Sequence, residues 1–380
     1  MAGLYLHIPF CEHKCIYCDF FSVDSQAELG RFLEALEREI TIYGQEYGIR
    51  EPVETIYFGG GTPSILPPSS SSEILKLIGD TFPVAPDAEI TLEANPGTVE
   101  QEKLLAFRRA GFNRLSVGIQ SFHDAHLGAL TRIHTSGEAL KAVSAARAAG
   151  FPNISLDLIF ALPGETTEEW ESDLERAVSL APEHISAYSL IVEEGTPLAR
   201  MVEEGSVRTA PEETEARMYE ATMARLASAG YEHYEVSSYA RPGFRSRHNM
   251  NYWNHSNYLG MGPSAHSFWS TRRWWNLRSI PAYSDALARG ALPLAGGEDL
   301  TRGQLLAEAI MLGLRSDGID LEALIRRFGV DLRRGSGELI GQLLAGGLAL
   351  EESGMLRLSD KGYLVCDKIV EMLLPGAVLP

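Results

Sequence analysis

Cysteine is scarce in this sequence, with four residues among 380, which argues against a small fold held together by disulfides. Long apolar runs are missing too: no stretch approaches the roughly 20 apolar residues that a membrane-spanning helix needs. Basic side chains are few, with 33 Lys and Arg against 51 Asp and Glu, so the basic footprint of a nucleic-acid-binding protein is lacking. The first residues show no signal-peptide pattern. We therefore expect a cytoplasmic protein with no integral membrane segment and no nucleic-acid partner.

Three of the four cysteines lie close together, just after an apolar N-terminal segment. Cys11, Cys15 and Cys18 form a CxxxCxxC pattern. Thiolates are soft ligands that favour iron–sulfur clusters or zinc over hard cations. A structural zinc site normally takes four ligands, and the remaining cysteine, Cys366, lies near the other end of the sequence. The pattern therefore predicts a 4Fe-4S cluster in which one iron has no protein ligand, and zinc is the less favoured alternative.

Short apolar segments alternate with amphipathic helical segments through the first half of the sequence. The apolar segments are bounded by glycine or proline, as expected of parallel strands that helices cover on both faces. The predicted strands are 4–7, 55–58, 89–93, 114–118, 154–160 and 185–191. Six such units predict an α/β fold with a partial (β/α)6 barrel. A doubly wound open sheet is the alternative that periodicity does not distinguish.

Capping-box patterns predict the starts of three helices between these strands. The patterns are Ser25 with Glu28, Ser70 with Glu73, and Thr166 with Glu169. In each pair a hydroxyl and a carboxylate would satisfy the first N–H groups of a helix.

The sequence changes character after Tyr239. The following residues are rich in aromatic residues, Asn, Gly and Arg, and helical patterns return from about Thr301. We expect a partial barrel over residues 1–240, an aromatic-rich connecting region over 241–300, and a helical, winged-helix-like domain over 301–380. Such domains bind DNA in other proteins, but the acidic charge here favours packing or docking of a partner protein.

Polar residues interrupt or end the predicted strands, where a parallel barrel gathers its functional groups. The segment Phe58-Gly59-Gly60-Gly61-Thr62-Pro63 lacks the Gly-Lys-Ser/Thr of a phosphate loop, so it is either a tight turn or a place where a ligand approaches the backbone. Glu93 and Gln120 end two strands, and Asp157 lies within an apolar one. A buried Asp157 must be paired or face a polar cavity, and Arg132 is a candidate partner. Each residue alone could be structural, but their shared position favours a common ligand pocket.

Together these segments resemble one branch of the radical SAM proteins, the anaerobic coproporphyrinogen III oxidases and their relatives. The resemblance covers most of the sequence, through His-Ile-Pro-Phe-Cys, Phe-Gly-Gly-Gly-Thr-Pro, Glu-Ala-Asn-Pro, Ser-Val-Gly-Ile-Gln-Ser and Asp-Leu-Ile. It implies that the three cysteines hold the cluster and that S-adenosylmethionine (SAM) chelates the open iron. The residues it implies for the SAM pocket are Tyr5, Gly60, Gly61, Thr62, Glu93, Gln120, Arg132 and Asp157. Tyr17 is expected either to pack on the adenine or to fill the loop.

Two departures from the oxidases point to a sister group, the HemW heme chaperones. The oxidases carry a further cysteine soon after the third, where this sequence continues Cys18-Asp19-Phe20, and they extend ahead of the first strand, which here begins at once. Residues 248–253 match the His-Asn-x-x-Tyr-Trp run of the chaperones, and residues 258–267 are similar to theirs. Histidine can ligate heme iron, and aromatic rings can cover the macrocycle. The resemblance implies heme contact through His248, with His255, His266, Met250 and Met261 as candidates for a second ligand.

The expected function is that of a heme chaperone, which binds heme beside a 4Fe-4S cluster and SAM and delivers heme to acceptor apoproteins such as respiratory enzymes. The first rival is an oxygen-independent coproporphyrinogen III oxidase, in which a radical derived from SAM starts oxidative decarboxylation of propionate side chains. The missing cysteine after Cys18 counts against it. Other rivals are a radical SAM methyltransferase or heme-opening enzyme, and a regulatory protein that uses the C-terminal domain. The sequence leaves the oligomeric state open, a homodimer included.

Overall fold

The computed structural model describes residues 2–47 and 51–374 and contains a large sheet whose central strands are parallel. These strands are Ala2–Ile8 (β1), Val53–Gly60 (β2), Val84–Ala94 (β3), Arg114–Gln120 (β4), Asn153–Phe160 (β5) and His184–Ser189 (β6). Each pairs in parallel with the next strand of the chain. A doubly wound sheet would instead grow in both directions from an inner strand. The predicted partial (β/α)6 barrel is therefore confirmed.

Amphipathic helices cover the outer face of these six strands. In Leu29–Tyr47 (α1), Phe32, Leu36 and Ile40 are fully buried at helical spacing and share one core with the strands. Each such side chain contributes about 1.5–3 kcal/mol by leaving water. The other helices of this half are Pro68–Thr81 (α2), Gln101–Ala110 (α3), Asp124–Ala129 (α4), Ser136–Ala148 (α5), Thr167–Ser179 (α6), Pro197–Glu203 (α7) and Glu212–Ser228 (α8).

The three predicted helix starts have different outcomes. The box at Thr166 is confirmed, because it caps α6 with both reciprocal hydrogen bonds. The start predicted from Ser25 is wrong, because α1 begins only at Leu29. The start predicted from Ser70 is also wrong, because α2 already begins at Pro68, where a helix needs no N–H donor.

Residues 241–300 extend the same sheet rather than merely connecting two domains. Just before this region, Glu232–Glu235 (β7) pairs antiparallel with Ser238–Ala240 (β8), which pairs antiparallel with β6 at one edge of the sheet. At the other edge, Asn257–Met261 (β9) pairs in parallel with β1. It is followed outward by His266–Trp269 (β10), Arg272–Asn276 (β11) and Leu294–Asp299 (β12). This region therefore forms a wall beside the strand that leads into the cysteines.

The short helix Arg247–Trp253 (α9) lies at the amino-terminal ends of the barrel strands and contacts β1 and β2. The N–H groups of Arg247 and His248 donate to the two carboxylate oxygens of Glu89 on β3, at 3.1 and 3.0 Å. A carboxylate in this place satisfies N–H groups that have no partner within the helix and interacts favourably with its dipole. These hydrogen bonds therefore anchor the start of α9 against β3.

The C-terminal part has a core of its own. After Ile280–Ala288 (α10), the helices are Arg302–Leu314 (α11), Leu321–Phe328 (α12), Leu332–Ala345 (α13), Asp360–Tyr363 (α14) and Cys366–Leu373 (α15). The strands are Ile319–Asp320 (β13), Ala349–Glu352 (β14) and Met355–Leu358 (β15), with β15 in the middle of a small antiparallel sheet. Helices followed by a hairpin form the expected winged-helix-like arrangement, and Cys366 is buried in this second core.

Candidate functional site

The cysteine loop follows β1 and is closed by backbone hydrogen bonds. The N–H of Cys11 donates to the carbonyl of Val23 (2.9 Å), and the N–H of Val23 donates to the carbonyl of Pro9 (2.8 Å). Cys11 and Cys15 are each 8% exposed, Cys18 is half-buried, and all three are free of disulfides. The protein thus presents three free thiols on one short, anchored segment.

Two donor groups from other segments approach these thiols. Thr62 Oγ1 lies 3.6 Å from Cys11 Sγ, and Arg132 Nη1 lies 3.7 Å from Cys15 Sγ. Within the described ranges, no three Cys, His, Asp or Glu side chains form a group that could hold a single metal ion. The neighbouring donors fit thiolates, which is the state in which cysteine ligates iron.

The glycine loop after β2 packs its main chain against the start of the cysteine loop. The N–H of Gly61 donates to the carbonyl of Ile8 at 2.9 Å. Gly60 has a φ of +107°, and a Cβ at this residue would lie 2.6 Å from the ring of His7. Glycine adopts such a conformation without steric cost and leaves room for the ring. The loop therefore positions the cysteines as well as turning the chain.

A cavity of about 420 Å³ opens at the carboxyl ends of β2 to β6, and we call it the strand-end cavity. Its volume lies in the range typical of small-molecule sites. Cys18 lines it, so it adjoins the cysteine loop. The predicted pocket residues that line it are Tyr17, Gly60, Gly61, Thr62, Glu93, Gln120, Arg132 and Asp157. The structure thus brings together residues from separate parts of the sequence, while Tyr5 lies outside this lining.

Glu93 supplies a carboxylate to the wall of the strand-end cavity. Its oxygens accept hydrogen bonds from the Tyr57 hydroxyl (2.7 Å) and from the Gly60 N–H (3.2 Å). Burial raises the pKa of Glu93 to about 7, although the Tyr57 hydrogen bond acts in the opposite direction. A cation bound beside it would favour the ionised form, so Glu93 is suited to an ammonium group.

Asp157 and Arg132 face the same cavity without pairing with each other. Asp157 accepts hydrogen bonds from Ser116 Oγ (2.9 Å) and Ser155 Oγ (3.2 Å), and burial raises the pKa of Asp157. Arg132 Nη2 donates to the carbonyl of Gly118 (2.8 Å), and its buried Nε has no hydrogen-bond partner among the described residues. The predicted pairing is therefore wrong, and Arg132 retains a donor for a ligand.

Gln120 ends β4 in an uncommon backbone conformation. Its φ is +67°, in the left-handed region, and the register between β4 and β5 shifts between Gly118 and Gln120. A Cβ on Gly118 would lie 2.9 Å from Gln120 Nε2, so the amide lies close against the glycine. Strained residues and bulges of this kind are common where a side chain is directed toward a ligand.

Some lining residues were missed by considering strand ends alone. Arg114 and Ser116, near the start of β4, also line the strand-end cavity. Arg114 is 2% exposed, and its Nε has no hydrogen-bond partner in the described part of the chain. Arg114, Ser116, Gly118 and Gln120 occupy alternate positions, which face one side of a strand. That alternation is the signal that could have found them.

A second cavity of about 480 Å³ adjoins the first, and we call it the histidine cavity because His7, His248 and His266 line it. Tyr5, predicted for the SAM pocket, lies here with its hydroxyl 3.1 Å from His7 Nδ1. The residues that line both cavities are Asp19, Phe20, Tyr57, Gly60, Glu93, Tyr188 and Asn249. The two cavities therefore share a wall.

His248 is engaged through both nitrogens of its ring. Nδ1 lies 2.8 Å from Thr55 Oγ1, and Nε2 lies 2.8 Å from the Tyr252 hydroxyl. Burial lowers the pKa of His248 to about 3, and the charge of Arg114 acts in the same direction. Iron ligation needs a nitrogen with a free lone pair, so the predicted heme contact requires one of these hydrogen bonds to break. It remains a prediction that this geometry does not favour.

The other candidate iron ligands differ in their access to the cavities. Met261 is fully buried in the main core, and Met250 lies on α9 outside both linings. His255 Nε2 lies 2.9 Å from a carboxylate oxygen of Glu308. His266 is exposed, lines the histidine cavity and has no hydrogen-bond partner for its ring among the described residues. Among these candidates, His266 combines an accessible ring with a place in a cavity.

Comparisons with known proteins place the chain in a family. Residues 5–177 match the radical SAM superfamily, and residues 300–365 match the HemN C-terminal domain. The chain is 38% identical to the heme chaperone HemW of Mycobacterium tuberculosis, over 98% of this chain and 94% of that protein. The chain belongs to the HemW family.

A second HemW relative, from Bacillus subtilis, is 34% identical over 97% of this chain and 98% of its own length. Among solved structures, the coproporphyrinogen III oxidase HemN of Escherichia coli matches with a TM-score of 0.84, covering 98% of this chain and 89% of the oxidase, at 24% identity. That likeness shows a common fold. The predicted membership of the HemW family is confirmed, and with it the cluster and SAM as the cofactors of a radical SAM family.

Within residues 2–47 and 51–374, no helix combines the length and apolar character needed to cross a bilayer.

Proposed function

We propose that this protein is a heme chaperone that binds heme beside a 4Fe-4S cluster and SAM and delivers the heme to acceptor proteins. The observation that carries the proposal is the pair of adjoining cavities beside the cysteine loop. One is lined by polar groups at strand ends, and the other is lined by aromatic rings and histidines. Membership of the HemW family supports the same function.

In this proposal the cysteine loop holds the cluster and SAM occupies the strand-end cavity. Glu93 suits the amino group of SAM, and Arg132 suits its carboxylate, since its buried Nε has no partner within the described ranges. Gln120 and Asp157 line the same cavity, and we assign them to the rest of the SAM molecule. Held by Cys11, Cys15 and Cys18, a reduced 4Fe-4S cluster would supply an electron to a ligand bound at its open iron.

The apolar faces of heme fit a group of exposed hydrophobic side chains at the cavity mouth. Phe20 is 58% exposed, Tyr188 is 41% exposed and Ile191 is 66% exposed, and all three line the strand-end cavity. Large apolar side chains gathered at a cavity mark a binding surface, whereas isolated ones need no explanation. Phe20 and Tyr188 also line the histidine cavity, so heme bound there as cargo would rest against them beside the SAM site.

The proposal also includes partner proteins and a location in the cell. The acceptors are heme-binding apoproteins such as respiratory enzymes, and the winged-helix-like domain offers a surface for docking them. Cytoplasmic location, lack of a nucleic-acid partner and a homodimeric state stay predictions.

The test uses one preparation of protein with a reconstituted cluster. We expect it to take up about one heme per chain and to transfer this heme to an apo-acceptor such as apomyoglobin. In parallel, coproporphyrinogen III with SAM and a reductant should give little protoporphyrinogen IX, with an authentic oxidase as the positive control. Conversion at the rate of that oxidase would favour the enzyme, and absence of heme uptake would reject the chaperone.

A further inference from the structure

The histidines that line the histidine cavity differ in whether their ring nitrogens are free. His7 has Nδ1 at 3.1 Å from the Tyr5 hydroxyl and Nε2 at 2.7 Å from the carbonyl of Phe21. His248 is likewise engaged at both nitrogens. His266 is exposed, and neither of its nitrogens has a hydrogen-bond partner among the described residues. Its lone pair is therefore available to a metal without loss of an existing contact.

The position of His266 is fixed by its surroundings. Its ring stacks on Trp275 of β11, with centroids 5.8 Å apart and planes inclined by 26°. The turn that precedes it begins at Gly262, whose N–H donates to the buried carboxylate of Glu39 at 2.7 Å. Gly262 has a φ of +101°, and a Cβ there would lie 2.3 Å from the carbonyl oxygen of His7. Close packing against β1 thus fixes the backbone that leads to His266, and the Trp275 ring supports one face of the imidazole, as a preorganised ligand requires.

Arg278 provides a cation at the rim of the same cavity. It is exposed, donates one hydrogen bond from Nη2 to the carbonyl of Asp19, and has no ion pair within the described ranges. A guanidinium has five N–H donors, so most of them remain for a carboxylate. The charges of Arg278 and His266 both help lower the pKa of His7 to about 4, after the larger effect of burial, which places both near the same buried ring.

The surface between these two groups is suited to a flat apolar ring system. Phe20 and Tyr188, both exposed, line this cavity as well as the strand-end cavity. Tyr252 and Tyr258 form the inner side, in edge-to-face contact with centroids 4.7 Å apart. A free imidazole, a free guanidinium and an aromatic lining match the iron, the propionates and the macrocycle of heme.

We propose that heme is seated in the histidine cavity with the His266 imidazole on the iron and the Arg278 guanidinium on a propionate carboxylate. This assignment rests on the proposed chaperone function and moves the axial role from His248 to His266. His248 instead joins α9 to β2 and supports the cavity from behind.

The test titrates hemin into the full-length protein and records the Soret band and the affinity. We expect His266→Ala to shift the band and to weaken binding at least tenfold, and added imidazole to restore the band. His248→Gln should keep the position of the wild-type band, because it removes no iron ligand, while the affinity is expected to fall less than in His266→Ala because His248 lines the cavity. His255→Ala is the matched control, because His255 lies outside both cavity linings. Circular dichroism shows whether each variant is folded.

Arg278 is tested with heme and heme dimethyl ester, in which the propionates carry no charge. Wild type should prefer the free acid, and Arg278→Ala should lose most of that preference, while Arg289→Ala, an exposed arginine on α10's C-terminal side, should keep it. An unchanged band in His266→Ala, with loss of the band in a folded His248→Gln protein, would overturn the assignment and leave the chaperone function standing. Absence of heme binding by wild type would reject the function itself.

Discussion

The strand-end cavity and the histidine cavity share a wall but differ in whether their polar side chains have hydrogen-bond partners. In the strand-end cavity, buried nitrogens of Arg114 and Arg132 have no partner among the described residues. In the histidine cavity, His7 and His248 are bonded to neighbouring groups at both ring nitrogens. The first cavity is thus prepared for a polar ligand that supplies the missing partners. In the second cavity, His7 and His248 already have partners, and aromatic rings form much of the lining. His266 and Arg278 differ, because they keep groups that are free to bind a ligand.

This difference teaches that residue type alone does not identify a ligand. Three histidines line one cavity, yet the hydrogen-bond partners of each ring separate two that stabilise the fold from one that is free. Accounting for every donor and acceptor is therefore more informative than the presence of a histidine in a recognised motif.

The largest expected effect is a loss of ligand binding in one cavity that leaves ligand binding in the other unchanged. Cys15→Ala removes one of three thiolates, so we expect loss of the cluster iron and of SAM binding. Heme binding should persist, because no cysteine is among the residues that line the histidine cavity. Iron and sulfide analysis and a hemin titration measure the two outcomes.

Cys366→Ala is the control for this prediction, because Cys366 is buried in the C-terminal core. It should keep the full iron content. Full iron in Cys15→Ala would contradict the cluster assignment, and joint loss of heme would show that the cavities depend on each other.

The second-largest effect is on the pH dependence of stability, and it arises from a buried carboxyl that supports the histidine cavity. Glu39 on α1 accepts hydrogen bonds from Gly262, Asn276 and Tyr283, and burial raises the pKa of Glu39 from 4.5 to about 7. Between these values the unfolded chain releases a proton that the folded protein keeps. The stability from this group is therefore fully present below pH 4.5 and is lost as the pH rises to about 7, by on the order of 3 kcal/mol.

Glu39→Gln should flatten this part of the pH dependence, measured as the free energy of unfolding in urea across that pH range. Glu37→Gln changes an exposed carboxyl on the same helix and should leave the slope as in wild type. An equal slope in wild type and Glu39→Gln would show that Glu39 does not titrate as stated.

The smallest expected effect is a change in SAM affinity, and it tests a residue in the wall that the two cavities share. Glu93→Gln should weaken SAM binding about tenfold, or about 1.4 kcal/mol, because a charge-assisted hydrogen bond becomes a neutral one. With a pKa of about 7 for Glu93, SAM affinity of wild type should rise as the pH passes upward through that value, and affinity of the variant should not. Isothermal titration with reconstituted protein measures both.

The matched control is Glu102→Gln, an exposed glutamate in the first turn of α3. Heme affinity should change less than SAM affinity in Glu93→Gln. A larger loss of heme affinity than of SAM affinity would show that the assignment of Glu93 to SAM is wrong.

The barrel could be predicted from sequence because its signals are local. Parallel strands buried on both faces read as continuous apolar runs, and β5 contains the whole of the predicted 154–160. The strands of residues 241–300 were not predicted, because they are short and their pairing is distant. β9 begins at Asn257 and pairs with β1, which begins at Ala2. What makes such a segment a strand is its neighbour in the sheet, more than its own residues.

The same reason limits the prediction of the site. Glu93, Gln120 and Asp157 stand out as polar residues in or after apolar strands, and the structure places them in one cavity. The contact between Thr55 and His248 joins positions far apart in the chain, so no local pattern showed that the histidine was already bonded.

The position of the segment after Cys18 has a consequence for how the two ligands lie. Asp19 and Phe20 line both cavities, so the strand-end cavity and the histidine cavity meet beside the cysteine loop. Heme resting on Phe20 and Tyr188 would lie between solvent and the ligand beneath it. A recipient protein that takes this heme would therefore contact the exposed side chains of Phe20 and Tyr188.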